Sequence, residues 1–328
     1  MKKYVALLAA VLLIVGMLAG CDRAVVVDEY EAVDINITAI AGPTGVGLVQ
    51  LMENQVAGKA GNNYNFHITS APEQAVAAIS NGTADIAAVP TNLASTLYKK
   101  TEGKVQVLAL NTLGVLHILT NGEEVNSVAD LKGKTIYTSG QGANPEYILK
   151  YVLEKNGIDP AKDVTIEFVA DNDTLAAVIA NGTAKVAMVP EPKASAVMMQ
   201  NQNVKRVLNM TEEWAKVNPE SPLTMGCVIA RKEFVEQNPE AVEMFLKEYK
   251  ASVESVLADV EAAAALCETH GIIPKAAIAK SAIPNCGLTY VDGEQMKNDL
   301  SGYLSILFGY NPAAIGGAMP ADDFYYVP

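Results

Sequence analysis

The sequence predicts an α/β chain of two similar lobes, each a parallel-type sheet flanked by helices, joined by two crossover segments. Three observations predict it. Segment 75–95 (AVAAISNGTADIAAVPTNLAS) returns one hundred residues later at 175–195 (LAAVIANGTAKVAMVPEPKAS). Apolar strand-like runs alternate with helix-like segments on both sides of each copy, the pattern of a parallel sheet covered by helices. The chain has 328 residues, half of them hydrophobic, which is enough for two cores.

The repeat carries the most information. Asn81-Gly82-Thr83-Ala84 recurs as Asn181-Gly182-Thr183-Ala184, Val89-Pro90 as Val189-Pro190 and Ala94-Ser95 as Ala194-Ser195. Each copy reads as an Ala-rich helix ending at Asn-Gly, where glycine takes the left-handed C-terminal position. A strand follows (86–89, 186–189), apolar on both sides as in the centre of a covered sheet. Pro90 or Pro190 then opens the next helix. A period this long is not that of a solenoid and points to two lobes.

The flanks extend both copies in order. In the first, strand 35–40 leads through Gly42-Pro43-Thr44-Gly45 to a helix ending near Val56. Strand 65–69, a helix from Pro72 and, after the repeat, strand 105–110 follow. In the second, strand 134–137 leads through Ser139-Gly140-Gln141-Gly142 to helix 144–155, then strand 164–169 and, after the repeat, strand 204–208. Crossings between lobes fall near 113–119 and 221–230. The lobes are then 34–113 with 224–328, and 114–223. Helices at 233–237, 239–269, 274–283 and 292–308 are assigned mainly to packing on the first lobe.

The N-terminus has a different character. Lys2 and Lys3 precede an apolar run from Val5 to Met17, which is short for a bilayer span of ~20 residues. Leu18-Ala19-Gly20-Cys21 follows and resembles a bacterial lipobox. Residues 1–21 then form a lipoprotein signal peptide with lipidated Cys21, and the acidic stretch 22–33 is a linker. This places the protein on the extracytoplasmic face of the cell membrane.

Without Lys2 and Lys3 the chain has 22 basic and 37 acidic residues, a net charge of −15. An acidic body argues against nucleic acid or an anionic membrane surface as partner. Cys227, Cys267 and Cys286 are odd in number. Cys267–Cys286 is one possible pair; three reduced, buried thiols are the alternative. With only His67, His117 and His270, no His/Cys cluster has metal-ligand spacing, so no metal and no cofactor are expected.

Lipobox, two lobes and double crossing together resemble the type 2 periplasmic solute-binding proteins. Ala187-Met188-Val189-Pro190-Glu191-Pro192-Lys193-Ala194-Ser195 is similar to the DAAVxWEPxAS segment of the nitrate/taurine/sulfonate and thiamine-precursor group. Pro190 stands where that group commonly has Trp, and Lys185 where it commonly has Asp. The resemblance implies a monomeric, non-enzymatic substrate-binding protein that closes on a small molecule and delivers it to an ABC permease and ATPase.

In such sheets ligands sit beyond the carboxyl ends of the strands. Four loops qualify there: Gly42, Pro43, Thr44 and Gly45; Pro90, Thr91 and Asn92; Ser139, Gly140, Gln141 and Gly142; and Pro190 to Pro192 around Glu191. Met225 and Cys227 on the return crossing add an apolar wall. Thr44, Thr91 and Asn92 could equally serve as helix caps, and Glu191 could simply favour a helix dipole. No GxxxxGK[ST] pattern accompanies the glycines, so nucleotide binding is not expected. Arginine is limited to Arg23, Arg206 and Arg231, none in a predicted cleft loop, so the bidentate grip on a carboxylate is not expected. An anion remains open through backbone N–H groups; a small heterocycle or amine fits Glu191 better. Two rivals share the fold: a dehydratase-like enzyme, for which His117 is the single candidate base, and a binding protein serving a sensory receptor.

Overall fold

The computed structural model describes residues 30–328. The expected signal peptide 1–21 with Cys21, and linker residues 22–29, lie outside the described residues. Strand β1 (Asp34–Ile40) pairs in parallel with β2 (Asn63–Thr69) and β3 (Ile86–Pro90). Between β3 and β4 (Val105–Thr112) runs β10 (Gly226–Arg231), antiparallel to both, and β11 (Leu288–Val291) adds to the edge at β4. The first sheet is ordered β11-β4-β10-β3-β1-β2.

The second sheet is ordered β7 (Thr165–Phe168), β6 (Thr135–Thr138), β8 (Val186–Pro190), β5 (Leu116–Asn121) and β9 (Val204–Asn209). Here β6 is parallel to β7 and β8, and β5 runs antiparallel between β8 and β9. The sheets are thus mixed rather than purely parallel. Each predicted crossing enters the sheet it reaches as an internal antiparallel strand. Val228, Ile229 and Ala230 in β10, and Ile118 and Leu119 in β5, are buried on both faces, which suits an internal position.

Helices fill the connections. They are α1 (Pro43–Val46) and α2 (Val49–Val56) after β1, α3 (Pro72–Ser80) after β2, α4 (Thr91–Lys100) after β3 and α5 (Asn144–Lys155) after β6. In the second sheet α6 (Asn172–Ala180) follows β7, α7 (Lys193–Gln200) follows β8 and α8 (Met210–Val217) follows β9. The C-terminal part holds α9 (Lys232–Gln237), α10 (Pro239–Ala258), α11 (Val260–Thr269), α12 (Ala276–Ala282) and α13 (Gly293–Tyr310). Among the described residues no helix is long and apolar enough to cross a membrane.

The two repeat copies fold alike. Gly82 and Gly182 have φ of 77° and 81°, the left-handed region that favours glycine. Asn81 Oδ1 accepts Thr83 N–H at 3.0 Å and Asn181 Oδ1 accepts Thr183 N–H at 2.9 Å, so the whole Asn-Gly-Thr triplet makes the turn. The copies diverge after the strand. Pro90 and Pro190 close their strands instead of opening helices; α4 begins at Thr91, whereas Glu191 and Pro192 intervene before α7.

Two other expectations are corrected. The Gly42–Gly45 loop is a helical turn from Pro43, where proline at the first position has no N–H to lose. The single helix expected over 239–269 breaks at Asp259, whose carboxylate caps α11 by accepting Ala262 N–H at 3.0 Å. The C-terminal helices pack on the first-sheet side and reach the second sheet as well. Met296, Leu300 and Leu304 of α13 share a core with Val107 and Leu110 of β4, and with Ile118, Met188 and Trp214 on the second-sheet side. On α12, Ser281 Oγ lies 3.2 Å from Ser195 Oγ of α7. A second core joins β1, α2, α10 and α11; a third lies between the second sheet and α6 and α7. Cys227, Cys267 and Cys286 are free and buried, the reduced alternative.

Candidate ligand-binding cleft

The carboxyl ends of the parallel strands of both sheets open onto one cavity of about 400 Å3. From the first sheet come Ile40 at the end of β1 and Ala41 after it, Pro72 and Glu73 after β2, Pro90 at the end of β3 and Thr112 at the end of β4. From the second come Ala143, Asn144 and Pro145 after β6, and Glu191 after β8. Val115 and Met225 lie just before the antiparallel strands β5 and β10, so they reach the same edge. The two crossings meet there: Met225 N–H donates to Thr112 O at 3.0 Å and to Leu113 O at 3.2 Å.

The sequence-predicted residues divide into two groups. Pro43, Thr44, Asn92, Met225 and Glu191 line the cavity. Thr91 is fully buried and its hydroxyl donates to Thr224 O at 2.8 Å, tying α4 to the return crossing. Gly42 and Gly45 shape the turn below: Gly45 N–H donates to Gly42 O at 3.0 Å, and a Cβ on Gly45 would meet Ile40 O at 2.9 Å. Ser139 to Gly142 are not in the lining. Ser139 Oγ is 2.6 Å from Asn172 Oδ1, and Gly142 N–H donates to Glu146 at 2.6 Å, so this stretch shapes the entry to α5. Gln141 is exposed.

Glu191 reaches the cavity by its backbone only, since its side chain is 0% exposed. Its carboxylate turns inward, accepting Ser195 N–H and Ser195 Oγ–H at 3.1 Å each and an N–H from Arg206 Nη2. It is therefore placed as the anchor of a buried polar cluster and not as an acceptor in the cleft. His117 belongs to that cluster. Its Nε2 is 3.0 Å from Asn285 O. A carbonyl can only accept, so Nε2 carries the proton and Nδ1 is left without a partner. Burial pushes Glu191 up to about 7 against the opposing pull of Arg206 and Ser195. It lowers His117 to about 4, Asn285 opposing and Arg206 assisting.

Sequence reasoning missed Pro72, Glu73, Ala143, Asn144 and Pro145. The rule about strand ends could have found them: a proline near the start of the helix following β2 and of the one following β6 marks where each chain leaves its sheet. Thr112 and Val115 had no signal beyond lying at a crossing. Another cavity, of about 620 Å3, opens at the opposite edge of the first sheet, near Gly82, Lys104 and Arg231. Two of its cations are paired within the protein, Arg231 with Asp85 at 2.6 Å and Lys232 with Asp323 at 2.9 Å. The smaller cavity lies at the strand ends where ligands bind in such sheets, and that position decides between them.

This architecture, two mixed sheets with a cleft between their carboxyl edges, is the fold of periplasmic binding proteins. An ABC transporter structure from Parabacteroides distasonis matches over 90% of this chain and 98% of its own, with TM-score 0.75 and 19% identity. The periplasmic aliphatic sulphonate binding protein SsuA of Escherichia coli matches over 90% and 92%, with TM-score 0.70 and 15% identity. The chain belongs to the NMT1/THI5 like family, whose model matches residues 64–263. YtlA of Bacillus subtilis (strain 168), provisionally named a binding protein, is 29% identical over 122 residues, 37% of this chain and 34% of YtlA. The match therefore spans about a third of that relative's length.

Proposed function

We propose that this chain is an extracytoplasmic solute-binding protein, tethered by a lipid on Cys21, that delivers a small molecule to an ABC importer and performs no chemistry on it. The observation that carries the reading is the cleft itself. Loops from both sheets wall one cavity, and Asn144 of α5 donates to Asn92 Oδ1 of α4 across it at 3.1 Å. A contact between the two walls over a cavity is what closure on a ligand requires. Family membership and the likeness to periplasmic binding proteins support the same role. The lobes proposed are 34–113 with 224–328, and 114–223; the hinge is the paired crossings at 113–115 and 221–225.

The test is to purify the protein, release any bound small molecule and identify it by native and denaturing mass spectrometry, then measure scattering with and without it. A compound returned unchanged, with a smaller radius of gyration when bound, supports the reading. A chemically altered compound would move the protein to the enzymes, and a profile indifferent to ligand would remove closure.

A further inference from the structure

The family resemblance leaves the ligand open, but the cavity's own chemistry does not treat all ligands alike. No Lys, Arg or His is among the described residues that line it. Three of the helices that start at its wall carry proline in the first turn, Pro43 of α1, Pro72 of α3 and Pro145 of α5. Each proline replaces an N–H that would otherwise serve an anion. The Thr44 hydroxyl is turned to Ile40 O at 3.4 Å and that of Thr112 to Asn111 Oδ1 at 2.9 Å. Glu73 adds negative charge at the rim.

Against this apolar wall stands one unsatisfied pair. Asn144 is 5% exposed, and its Oδ1 has no hydrogen-bond partner although the residue lines the cavity. Its Nδ2 is used on Asn92 Oδ1, which leaves Asn92 Nδ2 as a donor beside it. Two amides joined by one hydrogen bond leave one carbonyl oxygen and one amino group outside that bond, and exchanging both amides end for end leaves the same complement. A buried acceptor without a partner costs free energy that a ligand can recover.

We infer that the cleft selects an uncharged small molecule with an amide-like edge, an N–H donor next to a carbonyl or ring-nitrogen acceptor, held between Asn144 Oδ1 and Asn92 Nδ2, and discriminates against anions. The inference rests on the binding role proposed above. The ligand's N–H satisfies Asn144, its acceptor takes the Asn92 proton, and its apolar body lies against Ile40, Leu93, Val115 and Met225. Ligand binding then tightens the contact between the two walls, because one molecule bonds to both.

Calorimetry and thermal shift on the purified protein test this with benzamide, δ-valerolactam and 4-aminopyrimidine against benzoate, benzenesulfonate and nitrate, alongside identification of any retained compound. The uncharged probes are expected to bind at least about tenfold more tightly than the matched anions. Asn92→Asp, nearly isosteric, removes the donor, and Asn144→Leu removes the acceptor; each is expected to weaken them by a similar factor, with thermal stability of the free Asn92→Asp protein maintained. An anion that binds more tightly than its amide counterpart, an anion found as the retained compound, or variants that bind the amides like the parent would overturn the inference and leave the binding role standing. Failure of every class, with nothing retained, would sink the binding role itself.

Discussion

His117 Nε2 and Glu191 Oε1 lie 4.0 Å apart with both side chains fully buried, and burial drives the two titrations in opposite directions. Glu191 is raised to about 7, so it holds its proton in the fold where the unfolded chain has lost it. Its contribution to stability is present below its unfolded value near 4.5 and is lost as pH rises through 7. His117 is lowered to about 4, so the unfolded chain takes up a proton that the fold refuses. Its contribution is present above 6.5 and is lost as pH falls through 4. Between about 4.5 and 6.5 folded and unfolded chains each hold one proton on the pair, and the two slopes cancel.

Single variants should uncover the slopes. His117→Gln keeps a donor for Asn285 O and deletes the His117 titration, so stability relative to the parent should fall as pH rises from about 4 to 6.5. Glu191→Gln should do the reverse, gaining stability relative to the parent from about pH 4.5 to 7. Urea midpoints across that range check both. Slopes of the same sign in the two variants would contradict the assignment.

Gly114 sits where the two crossings touch. A Cβ there would meet Thr211 Oγ1 at 2.2 Å and Leu223 Cδ2 at 2.6 Å. Gly114→Ala should destabilise by about 1–3 kcal/mol and force the outgoing crossing away from the return crossing. Thermal unfolding reads the first effect. Scattering with ligand reads the second, as a changed amplitude of closure.

Trp214 is fully buried, 4.4 Å from the Tyr151 ring and 5.7 Å from the Tyr303 ring, and its indole N–H donates to Ser221 O at 2.8 Å. It therefore holds α5, α13 and the start of the return crossing together. Trp214→Ala should cost about 3–5 kcal/mol. A loss below about 1 kcal/mol in denaturant titrations would show that the site collapses or refills.

Gly82→Ala and Gly182→Ala probe the repeat. Both positions have left-handed φ, and a Cβ at Gly82 would meet nothing within 4 Å while one at Gly182 would meet only side-chain ends. Each substitution should cost about 1–2 kcal/mol from backbone conformation alone. Ligand affinity should be unchanged in both. Unequal costs would mean that the two turns, though matched in sequence, are not equivalent in the fold.

Much of the site was legible where it depended on strand ends. Thr44, Asn92 and Met225 line the cleft because each follows or precedes an apolar strand that the pattern marks. Ser139 and Thr91 looked equivalent by the same reasoning, yet both hydroxyls serve the scaffold. Polarity and position do not say whether a hydroxyl has a partner on its own wall. Glu191 shows this most clearly: its place at the end of β8 was readable, but the direction of its carboxylate depended on Arg206 and Ser195.

The sequence alone settles the two repeated helix–strand–helix units, because apolar period, Asn-Gly-Thr turns and prolines are local signals that act over a few residues. It determined neither the antiparallel course of β5 and β10 nor the bridging of the two sheets by α12 and α13. Those depend on which apolar faces meet after the chain has crossed, and pattern alone does not distinguish one covered face from another. The pairing of Asn92 with Asn144, fifty-two residues apart, was decided only when both sheets were in place, since side-chain hydrogen bonds are selected by distance in space and not by separation along the chain.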